Sequence, residues 1–402
     1  MSKHKNSTKY SSIKIGILET YGHVPILYTF SRICKTENTT VTIFTTRKLF
    51  SRLEKYLKKT EGYNIVLKKD NESYFSFLKR VENICNQNID LLFINTIKEN
   101  PVDLICYLKF HPKCNMILAV HHINTWLKTK FVYDITNIRK MIETNLSEFL
   151  IRNFILPKFD ALNVIYHPLR DYILTNTDYE KEIFTLPTSI FEDSKRLTIE
   201  QKDDKLLRIV SPGIIAERRK DYYIVLPVFE KIFNNFNENI ILQVLGTPVG
   251  KYGRTIYNEF KKMRDKGHNV VIYDEFVPDD KYVNILTKSD IILAPVQINT
   301  WGNICIKEKY GITVGSGIIF DAIRYSKPII VPAEFNMLRE LNSSTLKYAN
   351  STELENVLKD LIFNPEKLDR LKKEALLNSQ KFSSQTIQNY FNQKVVKWLL
   401  KN

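Results

Sequence analysis

The chain has 402 residues, which is long enough for two domains with cores of their own. Hydrophobic residues make up 44% of it and aromatic residues 12%, which excludes a disordered polypeptide. The net charge of +15 is concentrated early, since residues 1–69 hold 14 lysines and arginines against 4 glutamates. No motif that reads RNA or DNA accompanies this charge, so we expect no nucleic-acid partner.

The chain has neither an apolar run of transmembrane length nor an apolar core in its polar N-terminal segment. Its five cysteines are scattered, odd in number and lack metal-ligand spacing. We therefore expect a cytoplasmic protein with reduced thiols and no metal site. The cysteines are Cys34, Cys85, Cys106, Cys114 and Cys305.

In chain order, the first half alternates short apolar strands with helical segments, which predicts a parallel sheet covered on both faces. We assign this domain to residues 1–190. The predicted strands are 13–18, 40–45, 64–69, 90–96, 115–122 and 161–167, with 183–188 closing the sheet.

Between the second and third strands, residues 47–59 predict a basic amphipathic helix. Leu49, Phe50, Leu53 and Leu57 fall on one face, with basic residues around them. Two interpretations stay open: a helix that packs on the core with a solvated basic face, or one that lies on an anionic membrane. The second would make the protein peripheral at a membrane.

Residues 189–205 are polar and charged and predict an interdomain linker. A second alternation follows over 206–383, with strands at 206–213, 239–246, 269–277, 289–296 and 328–332. The last segment, about 384–402, predicts an amphipathic helix. The whole pattern indicates an α/β protein with two Rossmann-like doubly wound domains that face each other across a cleft.

The most specific motif lies between Glu308 and Pro332. A glycine-rich turn containing Gly311 opens into a helix predicted from Gly317 to Tyr325, with Ser316 as its N-cap. The free N–H groups and the positive end of the helix dipole suit a phosphate or diphosphate. An ordinary helix start remains the alternative.

This motif, the strand that precedes it and the K-P-I-I-V-P strand that follows resemble the donor half of GT-B glycosyltransferases. The retaining family-four-like group is the most similar, over roughly residues 206–332. The resemblance implies the GT-B fold and a nucleotide-diphosphate sugar, UDP- or GDP-linked, as donor substrate with no other cofactor. It also implies that the last helix crosses back to the first domain.

The resemblance assigns further residues to the donor site. Gly213 opens the loop that carries Arg218, Arg219 and Lys220, and cations there stabilise the departing phosphates. Gly246 ends a strand where a ligand can approach. The segment Glu275, Phe276 and Val277 resembles the one that flanks the nucleoside base.

The acidic residues depart from the family pattern. Glu308 stands where a glutamate contacts the donor sugar, but Ser316 occupies the position of the second glutamate. Asp321 is the next acidic residue and precedes the K-P-I-I-V-P strand. The resemblance therefore implies binding roles for Glu308 and Asp321 at displaced positions.

Two histidine sites compete for the role of base in the first domain. His121 and His122 end a strand where the family-four-like group has a histidine beside the donor sugar. His23, between Gly22 and Val24, resembles the glycine loop of the inverting lipid-linked N-acetylglucosaminyltransferase of peptidoglycan synthesis. Trp126 either lines an acceptor site or packs.

We therefore predict a metal-independent glycosyltransferase that acts on a glycan, lipid-linked or protein-linked acceptor. The family resemblance implies that it retains the anomeric configuration. Three other functions stay open. One is a UDP-sugar 2-epimerase, which needs several carboxylates where the sequence offers Glu308 and Asp321. The others are a catalytically degenerate GT-B scaffold or partner subunit, and a nucleic-acid binder resting on charge alone.

Overall fold

The computed structural model describes residues 12–57, 62–128, 131–133, 135–192, 206–302 and 306–401. These residues form two parallel sheets, each covered by helices on both faces, and a short antiparallel hairpin.

The first sheet has seven parallel strands in the order β3-β2-β1-β4-β5-β6-β7. Its central strands are apolar because both of their faces are covered. The strands are β1 (Ile13–Leu18), β2 (Thr39–Thr46), β3 (Tyr63–Lys68), β4 (Leu91–Ile94), β5 (Asn115–Ala119), β6 (Ala161–Asn163) and β7 (Glu182–Phe184).

The helices of this half connect successive strands. They are α1 (Val24–Cys34), α2 (Arg47–Leu57), α3 (Tyr74–Asn88), α4 (Pro101–Tyr107), α5 (Ile123–Leu127), α6 (Ile138–Leu150) and α7 (His167–Asn176). Local sequence explains several starts: the Ser73 side chain accepts from Ser76 N at 3.0 Å, and that of Asn100 accepts from Asp103 N at 3.0 Å, with Pro101 in the first turn of α4.

The second sheet has six parallel strands in the order β10-β9-β8-β11-β14-β15, the same winding as the first six strands of the other sheet. Its strands are β8 (Leu207–Pro212), β9 (Ile240–Leu245), β10 (Val270–Ile272), β11 (Ile291–Leu293), β14 (Ile329–Pro332) and β15 (Thr345–Tyr348). Strands β12 (Asn299–Trp301) and β13 (Lys307–Lys309) form the hairpin.

The second half has eight α-helices among the described residues. They are α8 (Tyr222–Phe236), α9 (Gly250–Asp265), α10 (Asp279–Lys288), α11 (Gly317–Tyr325), α12 (Ser351–Phe363), α13 (Pro365–Gln380), α14 (Ser384–Phe391) and α15 (Lys397–Leu399). A π-helical turn, Asn392–Val396, joins the last two.

The C-terminal helices pack on the first domain. The Gln388 side chain donates to the carbonyl oxygens of Arg32 and Lys35, each at 2.8 Å. The Trp398 ring meets Phe184 of β7 edge to face, with centroids 5.4 Å apart. The C-terminal segment therefore belongs to the core of the first domain rather than to the domain that precedes it in sequence.

The predicted alternation is confirmed, and most differences lie at strand ends. Strand β1 and helix α11 have the predicted bounds, whereas the predicted strand 269–277 is only β10, Val270–Ile272. The predicted linker begins too early, because Ser189, Ile190 and Phe191 are buried. Its remaining residues from 193 lie outside the described part of the chain.

Helix α2 uses its apolar face inside the protein. Leu49 and Leu53 are buried against the first sheet. Arg52 turns to the other domain, where its guanidinium binds the Asp279 carboxylate with distances of 3.0 and 3.2 Å. The packing interpretation therefore describes this helix, and Lys58 and Lys59 of the predicted stretch lie outside the described residues.

Candidate active site

The cleft between the domains lies at the carboxyl ends of both sets of strands. The turns after β1, β4 and β5 contribute residues 19–23, 95–99 and 121–122. The second domain contributes the loop after β8 and the segment 310–316 ahead of α11. Ligands of doubly wound sheets bind at this edge, so these loops define the candidate site.

The predicted histidines come together in the cleft. The rings of His23 and His121 meet edge to face with centroids 5.5 Å apart. His121 Nε2 lies 2.8 Å from the carbonyl oxygen of Asn95, and because a carbonyl only accepts, Nε2 carries the proton and Nδ1 is an acceptor. Burial lowers the pKa of His121 to about 4, with a further contribution from His23. The ring is therefore neutral at pH 7.

His122 has the opposite protonation preference. Its Nδ1 lies 2.9 Å from Glu99 Oε2, and Trp126 Nε1 donates to Glu99 Oε1 at 2.9 Å. Burial opposes the charged imidazole, but the Glu99 carboxylate outweighs this and raises the pKa of His122. For His23, burial lowers the pKa, and the Arg219 guanidinium acts in the same direction. The site thus combines two imidazoles that favour the neutral form, His23 and His121, with one that favours the protonated form, His122.

Glu308 joins the two domains. Its carboxylate accepts from Thr125 N at 2.9 Å, from Thr125 Oγ1 at 3.1 Å and from Asn124 N at 3.3 Å. It therefore satisfies the N-terminus of α5 from the other side of the cleft. Ile123 N donates to the carbonyl oxygen of Thr313 at 2.8 Å, which holds the same two segments together. Burial raises the pKa of Glu308.

The three predicted cations of the loop after β8 have different environments. Arg218 and Arg219 are exposed, and the Arg218 guanidinium lies 5.4 Å from the centre of the Trp301 ring. Lys220 is buried, and its ammonium donates to Ser211 Oγ at 3.2 Å and to the carbonyl oxygen of Pro212. The arginines are therefore available to a ligand, whereas Lys220 is held by the end of β8.

Asp321 belongs to α11 and is half-buried. Tyr282 donates its hydroxyl to Asp321 Oδ2 at 2.8 Å. Burial raises the pKa of Asp321 to about 6, although Tyr282, Arg324 and Lys220 favour its charged form. Burial also lowers the pKa of Lys220 to about 7, against the attraction of Asp321. Lys220, in the loop after β8, and Asp321, on α11, therefore interact electrostatically.

The glycines of the site serve two purposes. Gly213 and Gly311 have φ of 92° and 81°, which side chains rarely adopt. A Cβ on Gly246 would lie 2.2 Å from the carbonyl oxygen of Gly213, so the space beside Gly246 is filled by backbone. At the start of α11, by contrast, a Cβ on Gly317 would meet nothing within 4 Å. Ser316 is the N-cap residue, and its side chain makes no capping hydrogen bond.

The segment predicted to flank the base follows β10. Glu275 and Phe276 are exposed, and Val277 is buried. The Arg52 guanidinium of α2 lies 5.7 Å from the centre of the Phe276 ring. Both domains therefore reach this end of the cleft, and the assignment to a base stays a prediction.

A cavity of about 210 Å3 lies at the centre of this arrangement. Its walls carry cations, an imidazole and aromatic rings, with little apolar aliphatic surface. It is lined by His122, Arg218, Arg219, Thr300, Trp301, Gly302, Tyr310 and Val314.

Sequence reasoning missed three polar residues at the edge of the first sheet. Glu19 is fully buried and accepts from Tyr21 N and from the Thr96 hydroxyl, each at 2.7 Å. Glu99 holds His122, and the side-chain amide of Asn95 is buried without a partner among the described residues. Glu19 and Asn95 directly follow β1 and β4, so their place after predicted strands was the available signal.

Together, the two facing doubly wound domains define a fold of the GT-B type. No protein-family model matches the sequence, and no curated protein matches it. Solved structures do match. The putative UDP-N-acetylglucosamine 2-epimerase from Listeria monocytogenes has a TM-score of 0.54 at 13% identity, covering 97% of this chain and 98% of that one.

Two similar structures contain ligands. One is the UDP-GlcNAc 2-epimerase from Neisseria meningitidis bound to UDP-GlcNAc, with a TM-score of 0.54, 12% identity and coverage of 97% and 100%. The other is S. aureus MnaA with UDP, with a TM-score of 0.55, 14% identity and coverage of 97% and 98%. At these identities the likeness establishes the fold over nearly the whole chain.

Among the described residues, no group of three or more histidine, cysteine, aspartate or glutamate side chains is arranged to hold a metal ion. The same part of the chain contains no helix that is both long and apolar enough to cross a bilayer.

Proposed function

We propose that this protein is an enzyme that binds a nucleotide-diphosphate sugar in the cleft and converts it by inversion at C2 of the sugar. The observation that carries the proposal is the meeting of exposed arginines from one domain with three histidines of unequal pKa from the other. The ligands named in the two similar structures, UDP-GlcNAc and UDP, support the choice of substrate class.

The diphosphate would lie between Arg219 and the N-terminus of α11. Arg219 is exposed, and its positive charge acts to lower the pKa of both His23 and His122, so its guanidinium is close enough to the cavity to act on a ligand there. The open space at Gly317 lets phosphate oxygens approach the first N–H groups of the helix. Lys220 contributes from below the site through its charge rather than by contact.

In an inversion at C2, the C2 proton is removed while the bond from C1 to the diphosphate breaks, which leaves a C1–C2 double bond. A proton is then added to C2 from the opposite face as the diphosphate re-forms its bond to C1. The reaction therefore needs a base, an acid and cations that hold the departing diphosphate. Neutral His121 has an acceptor at Nδ1, and His122 favours its protonated form through Glu99. Groups whose surroundings push their pKa values apart are suited to these two roles. His23 lies against His121 and is the third group available for proton transfer.

The carboxylates also support this reaction. The sequence offered only Glu308 and Asp321, and the fold adds Glu19 and Glu99 at the same edge of the first sheet. Glu99 binds His122 directly, and the charges of Glu19 and Glu308 favour the protonated forms of His121 and His122, so these three carboxylates would set the charge of the histidines. The likeness to 2-epimerase structures over nearly the whole chain favours this reaction over transfer to an acceptor.

Glycosyl transfer is the second candidate. It is favoured by the sequence resemblance of residues 206–332 and by Trp301, which is 42% exposed on the cavity wall and offers an apolar face to an acceptor sugar. In that reaction neutral His121, whose Nδ1 is an acceptor, would take the proton of the acceptor hydroxyl.

One experiment separates these functions. The protein is incubated with UDP-GlcNAc in D2O without acceptor, and the sugar is analysed by NMR. C2 inversion puts deuterium on C2 and produces the 2-epimer. If UDP-GlcNAc stays unchanged without an acceptor and is consumed when an acceptor is added, the result supports glycosyl transfer.

Binding is measured in parallel by calorimetry with UDP. An unchanged donor together with UDP binding supports the catalytically degenerate scaffold. Absence of binding by UDP and GDP would overturn the nucleotide-sugar site. Arg219→Ala tests the phosphate assignment, and Arg264→Ala, which removes a surface ion pair with Asp265, is the matched control.

A further inference from the structure

Exposed apolar side chains concentrate in one part of the first domain. The described residues include 20 large apolar side chains that are exposed, and 10 of these lie between residues 102 and 154. Six of them, on α6 and in the segment before it, are called the α6 face below. They are Phe131, Tyr133, Ile138, Ile142, Leu146 and Phe149.

Helix α6 has the reverse of the usual amphipathic arrangement. Ile138, Ile142 and Leu146 recur every four residues on its outer side and are 57%, 56% and 41% exposed. Its inner side carries Thr144 and Ser147, both fully buried, whose hydroxyls have no partner among the described residues. In a protein surrounded only by water, the apolar stripe of a helix faces the core. The outer side of α6 is therefore built for an apolar environment.

The segment before α6 extends this surface. Val132 N donates to Asn145 Oδ1, and Asn145 Nδ2 donates to the carbonyl oxygen of Val132, each at 2.9 Å. These two hydrogen bonds hold the segment against the helix, and the side chains of Phe131 and Tyr133 on either side of Val132 are 76% and 77% exposed. Aromatic side chains held outward beside an apolar helix are typical of proteins that insert into the headgroup region of a bilayer.

The charge of the region selects among possible occupants. Residues 98–154 contain eight lysines and arginines against five acidic residues, and two of those acids, Glu99 and Glu148, are buried. A second copy of the chain docked through the same face would bring the same positively charged region against this one. An anionic bilayer attracts this charge and accepts the apolar side chains.

We propose that the α6 face binds the surface of an anionic lipid membrane, with α6 lying in the plane of the headgroups. The sequence left open a membrane contact by the basic amphipathic helix α2. Its apolar face is used in the core, whereas that of α6 is exposed. This inference is independent of the reaction proposed for the cleft.

The test is flotation with vesicles of phosphatidylcholine alone and of phosphatidylcholine with phosphatidylglycerol, using nucleotide-free protein. The native chain floats with the anionic vesicles, and less protein floats as salt rises from about 0.1 M to about 1 M. Ile142→Glu with Phe149→Glu lowers the bound fraction at least about tenfold, since two inserted apolar side chains are lost. Ile142→Leu with Phe149→Leu retains binding.

Leu377→Glu is the matched control, because Leu377 is 55% exposed on a helix of the other domain. It leaves flotation unchanged, and circular dichroism verifies that each variant is folded. Failure of the native chain to bind anionic vesicles overturns the proposal, as does equal binding by the double glutamate variant. A dimer in sedimentation that the double variant converts to a monomer, without vesicle binding, assigns the surface to a second copy instead.

Discussion

The buried amine of Lys220 makes stability depend on pH in a predictable way. Lys220 is 3% exposed, and burial lowers its pKa to about 7 against the attraction of Asp321. In the unfolded chain a lysine has a pKa of about 10.4. Between these two values the unfolded chain binds more protons, so the free energy of unfolding rises with pH through this window.

The size of the effect follows from the two pKa values. Raising the pH from about 7.5 to about 9.5 removes about half of the free-energy cost of deprotonating the amine on folding, a gain of about 2 kcal/mol in the free energy of unfolding. Lys220→Met keeps the length of the side chain and abolishes the titration. The native protein should therefore gain about 2 kcal/mol relative to this variant over the same range.

The assay is urea unfolding of both proteins at the two pH values. Lys262→Met is the control, since Lys262 is an exposed residue paired with Glu259. The control should follow the native pH profile. Parallel profiles for the native protein and Lys220→Met would refute the argument, because the amine would then titrate alike in the folded and unfolded states.

Three further predictions concern the cleft. Glu99→Gln removes the charge that raises the pKa of His122, and urea unfolding should show a loss of about 1.5–3 kcal/mol in the free energy of unfolding. The loss should be larger at pH 6 than at pH 9, because the raised pKa stabilises the fold only while the ring is protonated. Equal losses at both pH values would contradict this prediction. Arg219→Ala should weaken UDP binding by about 10–100-fold in calorimetry with an unchanged unfolding midpoint, and unchanged affinity removes Arg219 from the phosphate site. Gly246→Ala should lower the free energy of unfolding by at least about 2 kcal/mol, because the added Cβ would lie 2.2 Å from a backbone oxygen. Gly317→Ala, where the added Cβ meets nothing within 4 Å, should change it by less than about 1 kcal/mol. Similar unfolding midpoints for the two variants would show that the backbone near Gly246 can shift to accommodate a side chain.

The sequence was sufficient for the two sheets and for α11. Strand β1 is apolar apart from the exposed Lys14, and α11 is bounded by Ser316 before it and Lys327-Pro328 after it. Local signals therefore define both elements. Strand β10 was predicted too long because Phe276 and Val277 were counted with the apolar residues of the strand, although pairing with β9 ends at Ile272. Pairing depends on the sheet and cannot be read from the segment alone.

Side-chain environments were harder to predict than elements. Arg219 and Lys220 are adjacent in sequence and were treated as a pair, but one is exposed and the other is buried against the end of β8. Glu99 lies 23 positions before His122, and no local pattern links them. Such contacts arise only when the turns after separate strands meet at one edge of the sheet.

The contact of Glu308 with α5 has a consequence for the timing of chemistry. Any movement that separates the domains must break the hydrogen bonds from Asn124 and Thr125 to this carboxylate, together with the bridge between His122 and Val314. The helix that loses its cap is the one that begins beside His122. For the reaction proposed above, we therefore expect that opening of the cleft to exchange ligands would separate His122 from these contacts, and that closing would align its imidazole again.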